Sequence, residues 1–97
     1  MVRHVALFRW QPETTAVQVA AVAAALATLP AAVGTIADYR FGADLHLVDD
    51  SWDFAVVADF ADVDDWRIYR DHPAHLQVIA EQIRPLTAQR AAVQYRG

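Results

Sequence analysis

Residues 53–60, Asp-Phe-Ala-Val-Val-Ala-Asp-Phe, have the length and apolar content of a strand, yet neither face of that strand is polar. Side chains alternate sides along a strand. One side carries Phe54, Val56, Ala58 and Phe60, and the other carries Ala55 and Val57. Residues 2–10 repeat the pattern. His4, Ala6, Phe8 and Trp10 share one side. Val5 and Leu7 occupy the centre of the other, with Arg3 and Arg9 toward its ends. Leaving several such side chains wet costs about 1.5–3 kcal/mol each, so the sheet needs cover on both sides. Helices can cover one side. The simplest cover for the other is a second sheet laid face to face, in a symmetric homodimer.

Length points the same way. The chain has 97 residues, and residues 1–97 are expected to form a single domain. A chain this short buries only a modest share of its surface alone. Its hydrophobic fraction of 56% exceeds the roughly 45–50% usual for soluble domains.

Composition excludes several classes. There is no cysteine, hence no disulfide framework, thiol nucleophile or Cys-ligated zinc. No apolar run approaches the ~18 residues of a membrane helix, and the chain opens on a strand-like segment without a leader pattern. A cytoplasmic protein without a membrane partner is expected. The net charge is −4 and the basic residues are scattered, which argues against a nucleic-acid partner. All eight basic residues are arginine, and with the abundant alanine this suggests a high-GC bacterial coding bias.

Along the chain, Gln11 and Pro12 end the first strand. Thr14 or Thr15 caps a helix, aided by Glu13, that runs to about Leu29. Its stripe is Val19, Val22, Leu26 and Leu29, and Pro30 stops it. Residues 35–42 read as a second strand, 43–52 as a loop and 53–60 as the third strand. Asp62 caps a helix bearing Trp66, Ile68 and Tyr69. The chain bends at Asp71-His72, and Pro73 opens a further helix whose buried stripe is Leu76, Ile79 and Ile83. Arg84-Pro85 ends it, and residues 90–96 form a last strand. The order β-α-β-β-α-β is the ferredoxin-like unit of the α+β class, with an antiparallel four-stranded sheet.

Two stretches carry a resemblance. The opening Met-Val-Arg-His-Val-Ala-Leu-Phe-Arg-Trp, and Tyr69-Arg70-Asp71-His72-Pro73-Ala74-His75 with its Tyr-x-x-His-Pro-x-His pattern, resemble the stress-responsive A/B barrel (Dabb) family. The likeness extends over essentially the whole chain, including the C-terminal Arg-Pro-Leu before a strand. It implies a dimeric α+β barrel built from two sheets. The family includes plant stress proteins and a plant polyketide cyclase that closes a linear tetraketide by an aldol reaction. The tyrosine and histidine catalytic in that cyclase match Tyr69 and His75, and its first-strand pocket histidine matches His4. A further pocket histidine, on its third strand, falls at Phe54.

The resemblance implies a small-molecule-binding homodimer, with cofactor-free cyclase, isomerase or lyase chemistry on a polyketide-like carbonyl compound as one reading. His75 is then the base, Tyr69 the donor and His4 a supporting group. Phe8, Phe54, Trp66 and His72 are expected to line the substrate site. Imidazole accepts protons near neutrality, and a tyrosine hydroxyl can donate to a developing enolate. Each residue also has a plainer reading. His72 can be a turn or cap residue, His4 and His75 satisfied histidines, Tyr69 a core residue, and His46 a solvated one. The protein as a whole can be a non-catalytic stress-responsive or ligand-sequestering one. His72 and His75 have a two-ligand metal spacing, but Pro73 lies between them and no third ligand is positioned, so no metal is expected. Nothing in the pattern demands a cofactor.

Overall fold

In a computed structural model describing residues 1–97, the chain runs β1 (Val2–Trp10), α1 (Ala16–Leu26), α2 (Leu29–Ala32), β2 (Asp38–Ala43), β3 (Phe54–Phe60), α3 (Val63–Asp71), α4 (Pro73–Val78) and β4 (Thr87–Arg96). A π turn (Ile79–Ile83) and a 3-10 turn (Arg84–Leu86) join α4 to β4. The four strands lie in the order β2-β3-β1-β4, and every neighbouring pair is antiparallel. This is the ferredoxin-like arrangement, with the helices on one side of the sheet.

The inner face follows from strand alternation. Val2, His4, Ala6 and Phe8 of β1 are buried, as are Phe54, Val56, Ala58 and Phe60 of β3. Val22 and Leu26 of α1 close over them, and Leu29 of α2 and Val33 complete the fully buried set. Phe60 packs against Tyr69 of α3 in a tilted arrangement, with ring centroids 5.1 Å apart.

Several element ends depart from the sequence reading. Thr15 is the cap of α1, and its box is closed by Gln18 rather than helped by Glu13: Gln18 N donates to Thr15 Oγ1, and Thr15 N donates to Gln18 Oε1. Pro30 does not stop a continuous helix. The first helix ends at Leu26, and Pro30 sits in the opening turn of α2, where the missing N–H costs nothing. β2 starts later than expected, at Asp38, and β4 starts earlier, at Thr87. Leu76 is not in a buried stripe: it is 49% exposed, and Val78 is buried instead. The reason is that α4 ends at Val78 and widens into a π turn, so helical spacing no longer applies across the segment.

The outer face is uncovered by the chain's own elements. In register across it, Val5 lies between Val57 and Val93, and Leu7 lies between Ala55 and Ala91. Val93 is 55% exposed, and Leu45 and Leu47 of the β2–β3 loop extend the apolar surface beside Leu7 and Ala55. One end of this face is charged. Arg3 donates to both carboxylate oxygens of Asp59 at 2.7 and 2.9 Å, which holds that carboxyl below its usual range.

Core and surface therefore differ sharply in what they tolerate. Phe60→Ala should cost about 3–5 kcal/mol in urea denaturation, whereas Ile68→Ala, at a half-exposed position, should stay within about 0.5 kcal/mol. Equal losses at the two positions would contradict this layering.

Candidate active site

A cavity of about 310 Å³ lies between the inner face of the sheet and the helices. Its floor is His4, Ala6 and Phe8 of β1 with Val56 of β3, and its walls include Leu26, Tyr39, Tyr69, His75, Ile79, Ile83, Arg84, Thr87 and Arg90. An adjoining hollow shares His4, Tyr69, His75 and Arg90 and adds Trp66, Arg70, Ala92 and Gln94. The polar groups thus stand where the two spaces meet.

Each polar side chain is placed by its element. β1 alternation turns His4 inward, where it is 6% exposed. Its cross-strand partner on β4 is Gln94, whose Nε2 donates to His4 Nδ1 at 2.9 Å. That bond leaves the His4 proton on Nε2. Burial, aided by the Arg90 and His75 charges, pushes the His4 pKa down to about 4, so it is neutral at physiological pH.

His75 is oriented differently. His72 caps α4, its Nδ1 accepting from Ala74 N at 3.1 Å, and Pro73 occupies the first helical turn. His75, in that same first turn, has its Nδ1 3.1 Å from the carbonyl oxygen of Arg70. A carbonyl only accepts, so Nδ1 carries the proton and Nε2 is left with a lone pair. Burial lowers the His75 pKa, with the Arg90 and His72 charges acting the same way, against the raising effect of the Arg70 carbonyl. The two imidazoles are therefore both neutral at pH 7 and hold opposite tautomers.

Tyr69 lies between them, its ring centroid 4.0 Å from that of His75 and 6.0 Å from that of His4. Its hydroxyl is 3.0 Å from the Tyr39 hydroxyl. Burial raises both phenols above their ordinary values, so both stay protonated. Two hydroxyls sharing one hydrogen bond leave one O–H free to donate elsewhere. Trp66 flanks His4 at 6.4 Å, and Arg70 lies over the Trp66 ring at 5.1 Å.

Of the residues expected at the site, His4, Tyr69, His75 and Phe8 line the cavity, and Trp66 lines the adjoining hollow. Phe54 is elsewhere on the inner face. It packs against Trp10 and Phe41 and borders a separate groove with α1, because it lies at the far end of β3 from His4's partner Ala58. His72 is turned to its cap bond and lines neither space. His46 is exposed on the β2–β3 loop, as expected. No cluster of three or more metal-ligating side chains exists, and no helix is long and apolar enough to cross a membrane.

Tyr39, Gln94, Arg84 and Arg90 were not anticipated. Alternation held the signal for two of them: once β4 is placed beside β1, Gln94 and Arg90 share the face of His4 and Phe8.

The model of the Stress responsive A/B Barrel Domain family matches residues 2–96. The chain belongs to the Dabb family. A dimeric ferredoxin-like protein of unknown function from Thermobifida fusca YX is 48% identical to this Dabb chain and superposes with a TM-score of 0.92, over 99% of this chain and 90% of that one. A dimeric protein of unknown function from Bacteroides fragilis is 24% identical, with a TM-score of 0.85 over 99% of this chain and 95% of that one. The hydroxynitrile lyase of Passiflora edulis shares the fold, with a TM-score of 0.83 at 20% identity over 97% of this chain and 90% of that one. No curated protein matches the chain in sequence.

The depressed His4 pKa has a consequence for stability. As pH falls below 6.5 the unfolded chain takes up a proton that folded His4 refuses until about pH 4. Stability should therefore fall with acidification across that window, by about 3 kcal/mol from this residue alone. His4→Gln should remove this part of the acid sensitivity in denaturation experiments at pH 7 and pH 4.5. An unchanged slope would show that His4 titrates normally.

Proposed function

We propose that the protein is a homodimer whose cavity performs cofactor-free proton transfer on a small carbonyl compound, as in a cyclisation, isomerisation or lyase reaction. The observation that carries this reading is the His75 tautomer. Its Nδ1–H is spent on the Arg70 carbonyl, which leaves its Nε2 lone pair free at the wall of a cavity that also holds two protonated phenols. In the reaction, His75 Nε2 takes a proton from the carbon next to the carbonyl. The electron pair of the broken C–H bond moves onto the carbonyl oxygen, giving an enolate. The free hydroxyl hydrogen of the Tyr69–Tyr39 pair donates to that oxygen, and His4 Nε2–H is a second neutral donor nearby. The enolate then attacks an electrophilic carbon, is reprotonated by His75, or expels a leaving group. A low His75 pKa suits the role, because the base is already unprotonated at neutral pH.

The homodimer rests on the uncovered outer face. Val5, Leu7, Ala55, Val57 and Val93 form a continuous apolar surface, and the Thermobifida relative is described as dimeric at 48% identity. Laying two such faces together removes them from water without adding any element to the chain. In sedimentation at micromolar concentration the protein should run as a dimer, and Val57→Asp should dissociate or aggregate it by placing a charge in a dry seam. A wild-type monomer, or an unchanged dimer in the variant, would overturn this part.

The chemistry is tested by deuterium exchange at the carbon next to the carbonyl in a panel of alkyl and aryl ketones, followed by proton NMR. His75→Ala should keep the fold and lower the exchange rate by roughly 10²–10⁴-fold. The acid limb of kcat/KM should lie below pH 6.5, on the side to which the His75 pKa is displaced. A fully active His75→Ala removes the proposed base. Ligand binding without exchange in the wild type would instead favour the alternative of a stress-responsive protein that only sequesters its ligand.

A further inference from the structure

The eight arginines divide by partner. Arg3, Arg40, Arg67 and Arg70 each pair with an aspartate. Arg9 lies over the Trp52 ring at 4.7 Å. Arg84, Arg90 and Arg96 have no carboxylate partner, and two of these three line the same cavity. Neither that cavity nor its adjoining hollow contains an aspartate or a glutamate. In a chain with 12 acidic residues and a net charge of −4, a cavity walled by unpaired cations and no anions is a departure from the average surface.

Arg90 is the better placed of the two. It is the cross-strand partner of Phe8, so β4 alternation sets it on the inner side of the sheet with Ala92 and Gln94. It borders both spaces, beside His4, Tyr69 and His75. Burial has the largest influence on all three of those groups, and the Arg90 charge acts on each of them by lowering its pKa.

We propose that the substrate class is a carbonyl compound bearing a carboxylate, held by Arg90 with Arg84 as a second cation, while its apolar body lies against Phe8, Leu26 and Val56. The inference rests on the proton-transfer reading for the reactive carbonyl, and the carboxylate is its own addition. A guanidinium recognises a carboxylate through two parallel N–H donors, which neither a neutral ketone nor an ester can match. The clamp would place the carbonyl of a keto acid near the phenols and its adjacent carbon near His75 Nε2. Arg90 is then a specificity-determining residue rather than the base.

Phenylpyruvate and its methyl ester test this, since the ester keeps the ketone and the aromatic body while its added methyl group removes the charge. Binding is titrated calorimetrically on the full dimeric protein. The wild type should bind the acid about tenfold more tightly than the ester, and added salt should erode that preference. Arg90→Gln should bring the two affinities together, and Arg90→Lys should restore part of the preference. Arg67→Gln, on the exposed side of α3, should leave it intact. His75→Gln should also keep the preference while losing deuterium exchange, which separates anion recognition from proton transfer. If the wild type shows the preference but no exchange, the carboxylate site stands and the catalytic reading falls. Equal affinity for acid and ester, no binding of phenylpyruvate in the millimolar range, or a full preference surviving in Arg90→Gln overturns the proposal.

Discussion

The register of β1 against its two neighbours is the constraint on which the rest of the molecule depends. β1 is paired on both sides, so one alignment fixes two faces at once. His4 opposite Gln94 and Ala58 sets the polar group at the bottom of the cavity. Val5, one residue on, lies between Val57 and Val93 and sets the apolar outer surface. A slip of one residue would exchange the two faces, putting valine in the cavity and an unpartnered histidine against water or a partner sheet. The bulge at Arg9/Trp10 comes after the last of these pairs, where Asp53 accepts from the Trp10 N–H, so the irregularity leaves the functional rows intact.

The site built on that register works by withholding water from groups that are neutral by default. Burial is the largest influence on His4, His75, Tyr39 and Tyr69, and in each case it disfavours the charged form. Hydrogen bonds then decide which atom holds each proton. Gln94 takes the Nδ1 lone pair of His4, and the Arg70 carbonyl takes the Nδ1 proton of His75. The result is one imidazole that can donate and one that can accept, with a phenol pair beside them. The π turn contributes by widening the chain after α4, so that Ile79, Ile83 and Arg84 all reach the cavity wall.

Much of this was legible in the sequence, for physical reasons that also explain the gaps. Strand alternation in 2–10 and 53–60 located both faces, because period-two patterns survive any detail of packing. The Tyr69 to His75 stretch was readable because Pro73 forces a break that sets His75 at a helix start. Leu76 was misplaced because a π turn breaks the spacing on which the stripe was counted. Pro30 was misread because proline fits equally after one helix and at the start of the next. Phe54 was expected at the substrate site from its correspondence to a pocket histidine of the cyclase, and the register puts it at the other end of β3. Tyr39, Arg90 and Gln94 were missed because strand order, rather than local sequence, brings β2 and β4 to the site.

The opposed protonation of His4 and His75 is the property on which the site's chemistry depends. Nitrogen-15 NMR of the imidazole side chains at pH 7 reads it directly. Both rings should be neutral, with the proton of His75 on Nδ1 and that of His4 on Nε2. A charged His75, or a proton on its Nε2, would leave the cavity without a base and contradict the account.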